Sequence, residues 1–397
     1  MTNPARPREA PPAEADFYGY FSTLTEEEND VRLRVRRFMD EEVAPGVNRC
    51  WEAAEFPREL IGRFRELDLL AGWYRGDAEP SLVAKALVSM ELARVDPGWA
   101  SFFGVHAGLA MGAIARYGSP EQQAEWLPPL RRWERIAAFG LTEPDVGSGT
   151  AGGLTTRCRR EGEQWVLDGR KKWIGNATFA DVVVVWARDE ADGATRGFLV
   201  RTESPGYVAE KIEGKVSQRT VQSGLITLDG CRVPEADRLP GVASFADVAR
   251  ILRAGRAGVA WQAVGCAMGA YEHALAYARQ REQFGRPIGA FQLIQMKLVT
   301  MLGNVTAMLG MALRVSRMQE QDVQRDEHSA LAKQFCAARC RETVALARDL
   351  MGGNGILLEY GAARLFSDAE AIYSYEGTNE MTALIVGRAV TGHSAFV

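Results

Sequence analysis

A chain of 397 residues, 47% hydrophobic and 25% charged, carries more apolar material than one core organises; it predicts two or three packed domains and excludes a disordered or fibrous protein. With 47 basic residues against 51 acidic and a formal net charge of −4, no global field points to nucleic acid or an anionic membrane. The six cysteines, Cys50, Cys158, Cys231, Cys266, Cys336 and Cys340, lack the spacing of a zinc ribbon or redox pair, so no metal is expected and a reduced, cytoplasmic protein fits.

Residues 1–24 open with a Pro-, Ala- and Glu-rich stretch that has no apolar run after a basic start; they read as a flexible tail, not a secretory signal. Over 25–135, apolar residues recur at three- and four-residue spacing, as in Val31, Val35, Phe38 and Met39 and again in Leu82, Val83, Ala86, Leu87 and Met90, which predicts a helical domain. Ser119 suits a helix cap and Pro120 the first turn after it. Over 136–244 the pattern changes to short β-rich runs, Trp165 to Leu167, Val182 to Trp186, Gly197 to Val200 and Gly224 to Leu228, separated by turn residues. Val182 to Trp186 is apolar throughout, as in a strand covered on both faces, although periodicity alone leaves a short buried helix open. Helical spacing returns over 245–397, where the lengths of Leu293 to Met318 and Ala330 to Met351 suit a four-helix bundle. Cys336 and Cys340 share a helix face there and read as buried packing. No segment reads as a transmembrane span, so no membrane insertion is expected. The fold class is α+β, mostly α: an N-terminal helical domain, a small barrel-like β domain and a C-terminal bundle.

Three distant segments carry the chemistry. Phe139 to Ser148 (FGLTEPDVGS) runs a strand into a turn whose glycines and hydroxyls can present donors to a polar ligand, though small-residue turns are common. Gly169 to Asn176 (GRKKWIGN) reads as a basic turn leading into a buried aromatic, Trp173. In Tyr375 to Asn379 (YEGTN), Glu376 follows an apolar-rich stretch, where a carboxylate's proton affinity rises and it becomes a better base; taken singly, a surface turn is the commoner case. Gly352 and Gly353 follow a helical pattern rather than a strand, so they do not form a nicotinamide fingerprint. Arg281 to Arg286 (REQFGR) ends a helix with two guanidinium groups, suited to phosphate or to water.

Together these segments resemble the acyl-CoA dehydrogenase family, in order and from about Thr25 to the C-terminus. The resemblance implies FAD between the middle and C-terminal domains, a homotetramer, and an acyl-CoA or acyl-carrier-protein thioester as substrate. By it, Phe139, Leu141 and Thr142 line the flavin, Ser148 seats phosphate and substrate, and Trp173 packs on the ring. Arg281 and Phe284 reach the FAD of a neighbouring subunit, with Gln292, Gly352 and Gly353 at its adenosine and pyrophosphate portion and Thr378 and Asn379 completing the site. Arg256, Tyr375 and Gly377 lie near the acyl thioester. Glu376 takes the α proton while the β hydrogen passes to the flavin. Some members carry the base on a helix at the position of Gly255, which has no side chain to act.

The likeness is to glutaryl-CoA dehydrogenase and to the plant short-chain acyl-CoA oxidase. Ala100 and Gly104 stand where glutaryl-specific members place an arginine and a serine on a distal carboxylate, which disfavours a dicarboxylyl substrate. Trp99, Phe102 and Phe103 suggest a short apolar pocket, or ordinary core packing. Gly175 occupies a position that dehydrogenases fill with threonine or serine and oxidases with glycine, and is expected to leave space at the flavin edge. The expected activity is dehydrogenation of a short apolar acyl thioester, with electron-transfer flavoprotein as a possible acceptor. An oxidase using oxygen stands second; a non-catalytic flavoprotein of the same fold is the reading from another class.

Overall fold

The computed structural model describes residues 15–395. The part of the expected tail at 1–14 lies outside the described residues, but 15–24 are packed, against expectation. The Asp16 carboxylate accepts the Tyr20 and Phe21 amides at 2.7 and 2.8 Å, Ala15 is buried, and Tyr20, Phe21 and Leu24 rest on the C-terminal core. The reason is local: an acceptor at the head of a helical turn fixes the chain that apolar contacts then hold.

The N-terminal domain comprises α1 (Glu26–Phe38), α2 (Val47–Ala53), α3 (Ile61–Arg65), α4 (Leu82–Val95), α5 (Pro97–Phe103), α6 (Met111–Tyr117) and α7 (Pro120–Arg131). Helix α1 opens with a Thr25/Glu28 capping box and α7 with a Ser119/Gln122 box, each satisfying orphan amides at both ends of the box. A π-helical turn at Gly104–Ala110 joins α5 to α6, making one helix from Pro97 to Tyr117. Trp99, Phe102 and Phe103 on this helix are fully buried against Phe38, Phe56, Phe64, Trp73 and Trp133, as core residues are.

The middle domain is a seven-stranded sheet of β1 (Ala137–Gly140), β2 (Arg157–Glu161), β3 (Gln164–Ile174), β4 (Val182–Asp189), β5 (Thr195–Arg201), β6 (Tyr207–Lys211) and β7 (Gly224–Pro234), with a one-turn helix α8 (Thr150–Gly153) after β1. The order is β1-β4-β2-β3-β7-β6, with β5 also on β4. Strand β4 is buried almost throughout, because it pairs with β1 and β2 in parallel and with β5 antiparallel; the apolar run at Val182 to Trp186 is a covered strand. The register of β3 on β7 slips between Lys171 and Ile174.

The C-terminal domain holds α9 (Phe245–Gln280), a β8 (Glu282–Gln283) and β9 (Arg286–Pro287) hairpin, α10 (Gln292–Glu320), α11 (Asp326–Leu350), α12 (Ala362–Ser374) and α13 (Asn379–Thr391). Helix α11 is central, packing on α9, α10, α12 and α13, while α9 also packs on α4 and ties this domain to the first. That approach requires glycine: a Cβ on Gly265 or Gly269 would lie 2.0 Å from the carbonyl oxygen of Met90 or Arg94. Cys336 and Cys340 are buried in this core, as their spacing suggested. Against the sequence expectation, Pro97–Tyr117 and Gln292–Glu320 do reach the length and apolarity of a membrane span; the first is mostly buried within the protein.

Candidate active site

Helix α12 stops at Ser374 and α13 starts at Asn379, with Thr378 Oγ1 capping it by accepting the Met381 amide at 3.3 Å. Between them, Glu376 has φ 55° and Gly377 φ 90°, consecutive left-handed residues. For a non-glycine residue that conformation costs on the order of 1–3 kcal/mol and persists only where its surroundings impose it. They do so from three sides. The Tyr375 hydroxyl donates to Gln262 Oε1 on α9 and accepts from Gln218 Nε2 at 3.2 Å, and Gln218 in turn accepts from Ser101 Oγ at 2.7 Å. From α11, the Lys333 ammonium donates to the carbonyls of Tyr373 at 2.7 Å and Gly377 at 2.8 Å.

The Glu376 carboxylate points at α9. A Cβ on Gly255 would lie 2.8 Å from Glu376 Oε2 and 3.5 Å from Leu109 Cδ2. Burial pushes the Glu376 carboxyl up to about 7, against the opposing pull of Arg256 and Lys333. Arg256 spends one nitrogen on Asp326 Oδ1 at 2.6 Å. Glu376 Oε2, Arg256 Nε and Asn379 Oδ1 are all buried without a hydrogen-bond partner. Gly377 joins them: its Cβ would lie 3.9 Å from Arg256 Nε. Unpaired buried polar atoms gathered on one loop and the facing helix are what a polar ligand satisfies.

A second loop runs from Leu141 to Thr156. Thr142 accepts the Lys172 amide through its carbonyl at 2.8 Å. Glu143 closes the loop, accepting from the Thr155 amide and hydroxyl at 2.7 Å, the Thr156 amide at 2.9 Å and Lys171 Nζ at 2.8 Å, while Lys171 also donates to the Leu141 carbonyl at 3.2 Å. Burial alone would raise the Glu143 carboxyl, but the Lys171 ammonium and the threonine donors outweigh it and bring it down to about 2. The same burial drops Lys171 to about 8. Clamped at its base, the loop leaves Ser148, Gly147 and Gly149 exposed.

Trp173 corrects the sequence reading. It is 55% exposed at φ 64°, thrown outward by the slip in β3, with Lys172 Nζ 5.2 Å above its ring. Phe139 and Leu141 instead face inward, Phe139 against Trp186 at 5.7 Å. The space expected beside Gly175 is filled: a Cβ there would meet Val105 Cγ2 at 3.2 Å.

The remaining predicted residues lie elsewhere in the chain's own fold. Arg281 caps the far end of α9, and Gly255 and Arg281 are 281 − 255 = 26 residues apart, about 39 Å at 1.5 Å per helical residue. Phe284, 92% exposed at φ 52°, tips the hairpin, and Gln292 opens α10. Gly352 and Gly353 are exposed, with nothing within 4 Å of where either Cβ would stand. Arg281, Phe284, Gln292, Gly352 and Gly353 are all exposed.

Sequence reasoning passed over Glu143, Lys171, Gln218, Gln262 and Lys333. Lys333 carried a signal: it falls on the stripe of Ala330, Ala337, Cys340 and Val344, all buried, where a core residue belongs.

The acyl-CoA dehydrogenase N-terminal, middle and C-terminal domain families match residues 25–134, 138–231 and 245–391. An acyl-CoA dehydrogenase of Bacillus subtilis (strain 168) is 31% identical over 93% of this chain and 99% of its own. The structure of glutaryl-CoA dehydrogenase from Mycobacterium smegmatis superposes with a TM-score of 0.92 at 40% identity, covering 97% of this chain and 100% of that one. A glutaryl-CoA dehydrogenase from the same organism in complex with FADH2 gives 0.92 at 37%, covering 96% and 98%. The chain belongs to the acyl-CoA dehydrogenase family. It is an oxidoreductase, and its cofactor is FAD. The outward Trp173, the clamped loop and the unpaired polar atoms around Glu376 fit that group.

Proposed function

We propose that this enzyme removes one hydrogen from each of the α and β carbons of a short apolar acyl-CoA, leaving the trans-2-enoyl thioester, with Glu376 as the base. The observation that carries this reading is the buried, unpartnered Glu376 Oε2 aimed at Gly255. A carboxyl raised to about 7 is a stronger base than an ordinary one and is still ionised in a large fraction of molecules at neutral pH. Bound FAD supplies the acceptor for the electron pair leaving the β carbon. The protein's part is to hold one carboxylate in a single orientation, to exclude water from it, and to keep Arg256 and Lys333 close enough that it ionises. Residues of the Thr142–Ser148 loop, Trp173, Thr378 and Asn379 would hold the cofactor, and Arg281, Phe284, Gln292, Gly352 and Gly353 would hold that of a neighbouring subunit.

The choice of a monocarboxylyl substrate is supported by what surrounds Ala100 and Gly104. Ala100 is fully buried and the nearest side-chain atom to a Cβ on Gly104 is the neutral Gln262 Nε2, at 3.5 Å. A distal carboxylate would find an amide there in place of a cation. Electron-transfer flavoprotein is taken as acceptor over oxygen because Val105 occupies the space beside Gly175 that an open flavin edge would need. A homotetramer is supported by Leu293, Met296 and Val299, each at least 60% exposed on α10, an apolar face of the kind that subunit contacts cover. Six free cysteines fit a reduced cytoplasmic compartment.

The test is a panel of acyl-CoAs given to FAD-loaded protein with and without oxygen. Butyryl-CoA should bleach the flavin and exceed glutaryl-CoA in kcat/KM. A higher value for glutaryl-CoA would overturn the substrate assignment, and rapid turnover with oxygen alone would overturn the acceptor.

A further inference from the structure

Helix α11 turns one face inward, and every member of that stripe but one is small or apolar. The exception is Lys333, 0% exposed. An isolated ammonium is costly to bury, so its contacts must repay the desolvation. Among the described residues it forms no salt bridge. Its hydrogen-bond acceptors are two main-chain carbonyls, that of Tyr373 in the last turn of α12, where helical carbonyls lack intrahelical donors, and that of Gly377. These bracket Glu376, three residues before it and one after. Among the described residues, no other side chain bonds both ends of this turn.

We propose that Lys333 is the positioning residue of the catalytic base: by tying the Tyr373 and Gly377 carbonyls to α11, its ammonium holds the left-handed Glu376-Gly377 pair and so fixes the carboxylate against Gly255. The inference rests on the reading of Glu376 as the base. The charge acts in the same direction as the bonds. Glu376 and Glu380 face it from the loop and α13, and Arg256 faces it from α9. Removing the ammonium leaves Arg256 as the cation drawing Glu376 toward its ionised form.

The experiment uses FAD-loaded Lys333→Met and Lys333→Gln beside Glu376→Gln, with anaerobic butyryl-CoA as probe, followed by stopped flow over a range of pH. In Lys333→Met the reduction rate per bound FAD should fall about tenfold or more at saturating substrate, with KM changing little, as misplacement of a catalytic group does. The rising limb of the rate against pH should move to higher pH, because a neutral neighbour leaves Glu376 harder to ionise. Lys333→Gln, which keeps donors without charge, should recover part of the rate and leave the limb displaced. A folded Lys333→Met with wild-type rate and limb overturns the proposal, as does failure of both neutral variants to fold and hold FAD, which would make the lysine a purely structural support. Wild-type reduction by Glu376→Gln removes the base itself; an inert Glu376→Gln beside an unaffected Lys333→Met overturns the Lys333 inference alone.

Discussion

Gly255 on α9 and Glu376 in the loop between α12 and α13 meet so closely that one additional carbon on the glycine would stand 2.8 Å from the carboxylate oxygen. Helix and loop thus converge on one point, and the helix contributes room. Because real side-chain carbons do not approach so near, Gly255→Ala must displace the carboxylate. Flavin reduction by butyryl-CoA should slow by about tenfold while FAD content stays normal, since a small misplacement of a reacting group has a large kinetic effect. Absorbance-monitored single turnover measures both quantities.

The position of the Glu376 carboxyl near 7 fixes two pH dependences. The base must be ionised, so the reduction rate should climb with pH through about 7 and level off above it. Stability runs the opposite way. The folded state binds this proton more tightly than the unfolded chain, whose carboxyl titrates near its ordinary 4.5, so the group's contribution to stability falls as pH rises from about 4.5 through about 7. Glu376→Gln should therefore raise Tm more at pH values above this window than below it. Asp368, also pushed up to about 7 by burial and by neighbouring Asp96, titrates in both proteins and cancels in the comparison.

Lys171→Met should strip the Glu143 carboxylate of its counterion where it is fully enclosed, at a cost of about 3–5 kcal/mol. The Leu141–Thr156 loop then loses its clamp. Thermal unfolding should report the lower stability, and the purified variant should carry less flavin per chain.

Gly175→Thr should be destabilising by about 1–3 kcal/mol, because the new side chain presses on Val105. Adding Val105→Ala should return most of the loss. Denaturant titration of the single and double variants checks the coupling; additive effects would separate the two positions.

Much of the fold could be read from periodicity, because α10 and α11 bury one stripe each and the Val182 to Trp186 run of β4 is apolar. The Ser119-Pro120 start is legible for a local reason, since cap and box partners are three residues apart. The Glu376 loop was found through the family resemblance of its motif, and burial of its carboxylate agrees with the apolar stretch before it. What escaped depends on distance in sequence or on backbone conformation. Lys333 bonds carbonyls 40 and 44 residues away, Gln262 meets Tyr375 over 113, and such pairings leave no periodic trace. Trp173 reads as a buried aromatic by residue type, and the positive φ at a register slip that turns it outward leaves no mark in the sequence. The aromatic cluster at Trp99, Phe102 and Phe103 fits core and pocket equally until its neighbours are known.

The central claim is that Glu376 is the base, and Glu376→Gln tests it most directly, since the amide fills the same volume but cannot accept the α proton. The measurement is flavin absorbance after anaerobic mixing of the FAD-loaded variant with butyryl-CoA, compared with wild type. The account predicts normal FAD content and reduction slowed by about a thousandfold or more, the scale on which general-base groups act. Reduction at a near wild-type rate would contradict it.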